Sequence, residues 1–262
     1  MAKVQELPIN ITKEILSNLI TTLKDLSTID KKSIFRIDKK NTLIYSKVGE
    51  GSTINAFKSF VFNTTDLFNT TDLEENINFI CNNTKEMYRK LQILSSFDND
   101  VSGKFYYDQL GESFYAERLL IKSGSKLKLN FYGGDPMSIN SKISVEMIKK
   151  TINIEDSNFN FQLNINDFAN IKRLATPDVE SDIFYMNTVE KNDKWYVSIG
   201  ESTWDLNISE IDWESQLTLA FPKKYFKSIS INGDYSTIYV FDNMLMVSTE
   251  NSDMLISTEM TV

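Results

Sequence analysis

Ile11-Thr12-Lys13-Glu14-Ile15-Leu16-Ser17-Asn18-Leu19-Ile20-Thr21-Thr22-Leu23-Lys24-Asp25-Leu26 is the stretch on which the reading of this chain turns. On a helical wheel at about 100° per residue, with Lys13 at zero, Lys24 falls at about 20°, Ser17 at about 40° and Thr21 at about 80°. Ile11, Ile15, Leu19 and Leu26 lie opposite, between about 160° and 240°. The spacing predicts an amphipathic helix over residues 10–27, apolar on one side and basic on the other. Ile20 is the exception, an apolar side chain on the polar side.

Three further segments show the same bias. Over 82–95, Lys85 and Arg89 lie within about 40° of each other and Lys90 at about 140°, set against Met87, Leu91 and Leu94. Over 166–175, Lys172 and Arg173 are adjacent, with Asn166-Asp167 as a capping-type start and Thr176-Pro177 as a stop. Over 221–230, Lys223, Lys227 and Lys224 fall at about 0°, 40° and 100°, while Phe221, Tyr225, Ile229 and Phe226 occupy about 160° to 300°. Pro222 sits near the first turn, where proline is tolerated. A fifth helical possibility, 144–151, falls between the two halves of the chain.

The four segments hold ten basic and four acidic residues, a net of +6, in a chain whose formal charge is -8. Strands and loops therefore carry -14. One lysine-bearing helix face is ordinary solvated surface; four such faces in an acidic chain describe a basic surface backed by an acidic shell. Such a surface attracts phosphate, and the acidic exterior keeps nucleic acid from sticking elsewhere.

The rest of the chain reads as β. The residues 33–37 and 42–45 form a hairpin about Asp38-Lys39-Lys40-Asn41, and 57–62, 103–107, 114–121 and 126–131 continue a meander. The second half repeats the pattern at 159–163, 182–188, 194–199, 204–208, 216–220, 237–241, 244–249 and 253–258. Each half runs helix, strands, a strand entering a second helix, and closing strands. Gly133-Gly134-Asp135-Pro136 is the clearest break. The expected organisation is an N-terminal domain over 1–134, a connector over 135–157 and a C-terminal domain over 158–262.

Composition narrows the function. With 262 residues, 41% apolar and 12% aromatic, the chain has material for a packed core. Nothing resembles a membrane span or a signal peptide, so a soluble, cytoplasmic protein is expected. There is no histidine, which removes Ser-His-Asp and Cys-His catalysis and the usual zinc sites. No phosphate loop or nucleophile elbow occurs. Asp98-Asn99-Asp100-Val101-Ser102-Gly103 lacks the later ligands of a calcium loop and reads as a turn. The single cysteine, Cys81, reads as a small buried hydrophobe. No enzyme, metal or cofactor is expected.

With two halves, each carrying two basic amphipathic helices on β-sheet, the chain resembles the DNA sliding clamps, and among them the trimeric clamps of tailed bacteriophages. The stretch from Ile165 to Leu174, INDFANIKRL, is similar to their third helix. Leu217 to Phe226, LTLAFPKKYF, is similar to the strand entering their fourth, and Ile238-Tyr239-Val240-Phe241 to a closing strand. The resemblance implies an α+β clamp fold of two similar domains, each with two helices on antiparallel sheets. It implies a homotrimer joined head to tail, a ring around duplex DNA that tethers a replicative polymerase and meets a clamp loader. It also implies the DNA-facing residues: Lys13, Lys24, Lys85, Arg89, Lys90, Lys172, Arg173, Lys223, Lys224 and Lys227. In the family a peptide pocket lies near the connector; the connector itself and residues 235–241 are candidates here. Strand 126–131 would pair with roughly 204–208 of a neighbouring subunit. The alternative is a β-rich phage virion component of the tail or neck, which would share the composition but not the basic helices.

Overall fold

The computed structural model describes residues 4–49, 54–68, 73, 76–97, 101–124, 127–138, 152–175, 182–229, 231, 233–249 and 252–260. The chain divides into two compact units, Met1–Lys47 with Lys58–Asn140, and Val48–Phe57 with Ser141–Val262. The division near 140 falls inside the expected connector, of which 139–151 lie outside the described residues, as does the helical possibility at 144–151. Val48–Phe57, assigned by sequence to the first half, groups with the second unit. There the Ser257 amide donates to the Asn55 carbonyl at 3.1 Å, and the Ser257 hydroxyl donates to the Ile54 carbonyl.

The first unit is built on β1 (Gln5–Ile11), α1 (Lys13–Leu26), β2 (Ser33–Ile37), β3 (Asn41–Val48) and β4 (Ala56–Asn63). It continues with α2 (Thr64–Phe68), β5 (Ile77–Cys81), α3 (Thr84–Ser95), β6 (Val101–Leu110), β7 (Ser113–Ser123) and β8 (Leu127–Tyr132). Its strands run in the order β1-β6-β7-β5-β2-β3-β4, with β8 also paired to β7. The β2–β3 turn is held as its residues predict: the Asp38 carboxylate accepts from the Lys40 and Asn41 amides at 2.8 and 2.6 Å. Sequence reading started the first helix too early. Leu7, Ile9 and Ile11 are buried at alternate positions, so 5–11 is a strand, and Thr12 caps the helix by accepting from the Ile15 amide. β1 carries Pro8, tolerable because β1 is an outer strand, bonded among the described residues to β6 alone.

α1 and α3 lie against each other and over the sheet. Leu16, Leu19, Ile20, Leu23 and Leu26 of α1, and Met87, Leu91 and Leu94 of α3, are buried. Each fully buried leucine contributes about 1.5–3 kcal/mol by removing apolar area from water. Ile20, anomalous on the wheel, is explained: the buried arc is widened by the neighbouring helix, not set by the sheet alone. Beneath them Phe79 packs edge-on against Phe35 and Phe105, at centroid distances of 5.6 and 5.7 Å.

The second unit comprises β9 (Phe159–Asn164), α4 (Ile165–Leu174), β10 (Ile183–Lys191), β11 (Lys194–Glu201), β12 (Trp204–Ile211) and β13 (Thr218–Pro222). It ends with α5 (Lys223–Phe226), β14 (Tyr235–Phe241), β15 (Met244–Thr249), β16 (Ser252–Ser257) and β17 (Glu259–Met260). One sheet has the order β16-β15-β14-β9, the other β12-β11-β10-β13-β17. The β10–β11 hairpin closes on Asn192 and Asp193, both at positive φ (54° and 60°), the two-residue turn whose twist matches the strands. α4 starts one residue earlier than expected because Asn164 is the cap, accepting from the Asp167 amide at 2.8 Å. α5 is much shorter than the expected 221–230: Phe221 and Pro222 complete β13, and the helix ends at Phe226.

Candidate nucleic-acid interface

The structure sorts the ten basic residues of the sequence reading into groups. In the first unit, Lys13 and Lys24 on α1 and Lys85 and Arg89 on α3 are exposed, each on the side of its helix away from the buried leucines. Lys90 is half-buried and tied to Glu86 one turn earlier at 2.6 Å. That contact holds the Glu86 carboxyl below the usual range, first through the hydrogen bond from Lys90 and then through its charge. Asn83 caps α3, accepting from the Glu86 amide at 3.1 Å and donating back to the Glu86 carboxylate. Between α1 and α3 runs a cleft of about 360 Å³, with Lys13, Ser17 and Thr21 on one wall and Gln92 and Ser95 on the other. The α1–α3 surface therefore presents cations beside neutral hydrogen-bonding groups, which suits a phosphate backbone.

In the second unit, Lys172 and Arg173 are exposed on the last turn of α4, where they also oppose the helix dipole. Lys172 Nζ lies 4.2 Å from the Phe168 ring centroid. Phe168 packs on Phe226 at 5.8 Å, which seats α4 beside α5. On α5, Lys224 is exposed, and Lys227 just after it is half-buried.

Lys223 requires correction as a surface residue. It is only 4% exposed, with Nζ 2.8 Å from Glu201 Oε1 and 5.7 Å from the Phe184 ring centroid. The wheel fails here because the preceding residues are a strand. Leu219, Phe221 and Lys223 follow one another inward at a period of two, and a helix of four residues is too short to impose its own period. Sequence reading likewise gave no notice of Lys58, fully buried in β4 with Nζ 3.4 Å from Asp25 of α1.

Cys81 is buried as expected, and burial pushes its thiol up to about 11. Among the described residues no three acidic or sulfur ligands lie close enough to hold a metal ion, and no helix is long and apolar enough to cross a membrane. β14, a sequence candidate for the peptide pocket, buries Ser236, Ile238 and Val240. An open apolar cavity of about 260 Å³ lies elsewhere in the second unit, lined by Ile183, Phe221, Pro222 and Thr258 among others.

No protein-family model matches the chain, and no curated protein matches it. Solved structures do. A Helicobacter pylori beta clamp bound to a DNA ligase peptide superposes with a TM-score of 0.61 at 12% identity, over 97% of this chain and 66% of that one. The DNA polymerase III subunit beta of Pseudomonas aeruginosa gives 0.57 at 10% identity, over 97% and 64%. A. fulgidus PCNA, bound by the C-terminal region of FEN-1, gives 0.60 at 11% identity, over 99% of this chain and 100% of that one. The chain thus spans just under two thirds of these two bacterial subunits and the full length of A. fulgidus PCNA. At such low identity it is the course of the backbone that is shared: the chain has the α+β fold of the DNA sliding clamps.

Proposed function

We propose that this chain is one subunit of a sliding clamp, a processivity factor that encircles duplex DNA and tethers a replicative polymerase to it. The observation that carries the reading is the coincidence of the clamp fold with cations on its helices and acid elsewhere. In this reading Lys13, Lys24, Lys85, Arg89, Lys172, Arg173, Lys224 and Lys227, with Lys90 beside them, face the duplex. Duplex DNA offers a charge every ~1.7 Å, so flexible cations exchange one phosphate for the next with little change in free energy. No base is read, and the ring slides. Retention comes from topology, so modest contact energy suffices.

Ring formation follows from the sheets. Among the described residues β8 is paired to β7 and β12 to β11, and each leaves its outer edge open. Open edges invite partners, and a head-to-tail contact between two different edges closes when the rotation per subunit divides a full turn. A homotrimer of two-unit chains is the proposed assembly, acting in the cytoplasm (the host's, if the chain is viral). The proposed role is that of a scaffold and not of an enzyme, with no cofactor.

H. pylori beta clamp has been seen with a DNA ligase peptide and A. fulgidus PCNA with part of FEN-1. By analogy, this chain would hold its polymerase and clamp loader through short peptides, with the Ile183–Phe221–Pro222 cavity as a candidate seat. Nothing in the structure favours the virion alternative. Particle images test the proposal: a closed ring with a central hole about as wide as a duplex is expected. A preparation that stays monomeric, or that forms long open arrays, would overturn it.

A further inference from the structure

One face of the first unit's sheet departs from the acid that strands and loops carry in sum. Leu7, Phe105, Leu119 and Phe131 lie directly across from one another on β1, β6, β7 and β8, all within the core that α1 and α3 share. Side chains alternate along a strand, so the residues next to these occupy the opposite face. There Glu6, Tyr106, Arg118 and Tyr132 form one cross-strand row. The Arg118 guanidinium lies 3.9 Å from the Tyr106 ring centroid, and Tyr132 is 71% exposed. With Val4 these side chains line an open groove of about 470 Å³, to which Glu6 and Glu117 also contribute. Glu6 is tied to Lys104 at 2.6 Å, and Glu117 is the sequence neighbour of Arg118. Charge at this end therefore nearly cancels, and what the row offers is flat rings. Four residues further along β7, about 13 Å away, Lys122 and Lys128 are direct cross-strand partners, both exposed. Like charges facing each other across two strands are destabilising, and no carboxylate among the described residues relieves this pair.

We propose that this sheet face, on the side away from α1 and α3, binds single-stranded DNA. Bases stack on Tyr132 and on the Arg118–Tyr106 pair, and phosphates lie against Lys122 and Lys128. A guanidinium held flat on a ring offers its other side as a stacking plane, as an aromatic side chain does. Every base has a π-face, so such a platform takes any sequence. Duplex DNA keeps its base faces inside the helix and could use only the lysines, which leaves the aromatic row without an occupant. An acidic protein segment would match the lysines but does not bring a ring with each unit of its backbone. A nucleotide strand carries a flat ring and an anionic group at every step, the two things this face sets side by side. The choice of DNA over RNA rests on the clamp reading, in which the chain works beside a template that a polymerase is copying. The stacking and phosphate contacts themselves need no ring. The first unit thus has two different nucleic-acid surfaces, helix cations for the duplex and a sheet platform for the single strand.

Fluorescence anisotropy of the full chain tests this, with an oligothymidine of about 20 nucleotides and a duplex of the same length as probes. Arg118→Ala with Tyr132→Ala is expected to weaken oligothymidine binding about tenfold or more and to leave duplex binding within about twofold. Tyr132→Phe, which keeps the ring, should bind like wild type. Lys122→Gln with Lys128→Gln should reduce the salt dependence of oligothymidine binding by about 0.7 for each phosphate no longer neutralised. Lys13→Gln, Lys24→Gln and Arg89→Gln together should do the opposite of the alanine pair, weakening the duplex and sparing oligothymidine. Thermal melting confirms that each variant is folded. Equal loss of oligothymidine binding in the sheet and helix variants, or a Tyr132→Phe chain as weak as the alanine pair, would overturn the platform. So would an oligoglutamate that displaces oligothymidine from the wild type, and an oligouridine bound more tightly than oligothymidine would overturn the choice of DNA. A wild-type chain that ignores oligothymidine would overturn the inference while a closed ring in particle images left the clamp reading standing. Oligothymidine held by this face in a chain that forms no ring would do the reverse.

Discussion

The helix pair of the first unit and that of the second carry the same kind of charge on very different supports. α1 and α3 span Lys13–Leu26 and Thr84–Ser95 and pack side by side, so each buries a continuous arc and leaves Lys13, Lys24, Lys85 and Arg89 exposed outside it. α4 is shorter, and α5 is a single turn continuing from β13. In the first pair the helical period decides which lysines see solvent. In the second the strand period still governs at Lys223 and sends it inside. A wheel is trustworthy only where the helix is long enough to own its residues. Yet the two units share a feature no wheel shows: among the described residues each buries one lysine against an acid from another element, Lys58 on Asp25 and Lys223 on Glu201.

The sharpest way to break this contrast is to remove neighbouring lysines on α5. Lys223→Ala strands Glu201, whose side chain is only 10% exposed, and should cost about 3–5 kcal/mol, the penalty of an uncompensated buried charge. Lys224→Ala, one residue on and exposed, should change stability by no more than about 0.5 kcal/mol. Thermal or urea unfolding of the two variants gives the comparison directly. Equal, small losses would mean that Lys223 reaches solvent after all. In the first unit, Leu23→Ala should cost about 2–5 kcal/mol, because a fully buried leucine leaves a cavity between helix and sheet.

The next contrast concerns DNA. If both helix pairs face the duplex, replacing Lys13, Lys24 and Arg89 by glutamine should reduce the salt dependence of DNA binding by about 0.9 for each phosphate no longer neutralised. Replacing Lys172, Arg173 and Lys224 should do the same from the other unit, with folding intact in both cases. Binding titrations over a range of salt would measure the two slopes. A change from one set alone would confine the DNA-facing surface to one unit.

Much of the fold was legible because its signals are local. The β2 boundaries follow from Ser33-Ile34-Phe35-Arg36-Ile37 bounded by turn residues, and the β2–β3 turn from Asp38 and its neighbours. β1 was lost to its neighbour: Ile11 suits both the apolar face of a helix and the inward alternation of Leu7 and Ile9, and only pairing with β6 decides between them. α2 was missed because five residues give no measurable period. At the candidate site, residue type and rough location were legible, but burial was not. Lys223 is hidden by a partner from β11, twenty-two residues away in sequence, and a single chain read in order gives no warning of such a contact.

The smallest expected effect separates the exposed ion pair on α3 from the buried one on α5. Lys90 lowers the Glu86 carboxyl, so the folded state holds this proton less tightly than the unfolded chain does. The pair's contribution is therefore complete above the ordinary glutamate range and is lost as pH falls through that range and the lowered folded value beneath it. Because both side chains are about half exposed to solvent, it should be worth only about 0.3–0.5 kcal/mol. Glu86→Gln should accordingly lower stability slightly at neutral pH, and the difference from wild type should shrink towards zero as acid protonates Glu86 in the parent. Raising salt should shrink it too, whereas the Lys223–Glu201 pair, shielded from solvent, should be nearly indifferent to salt. A Glu86→Gln deficit that persisted unchanged into acid would show that the capping hydrogen bonds of Asn83, not the charge of Lys90, are what Glu86 supplies to the start of α3.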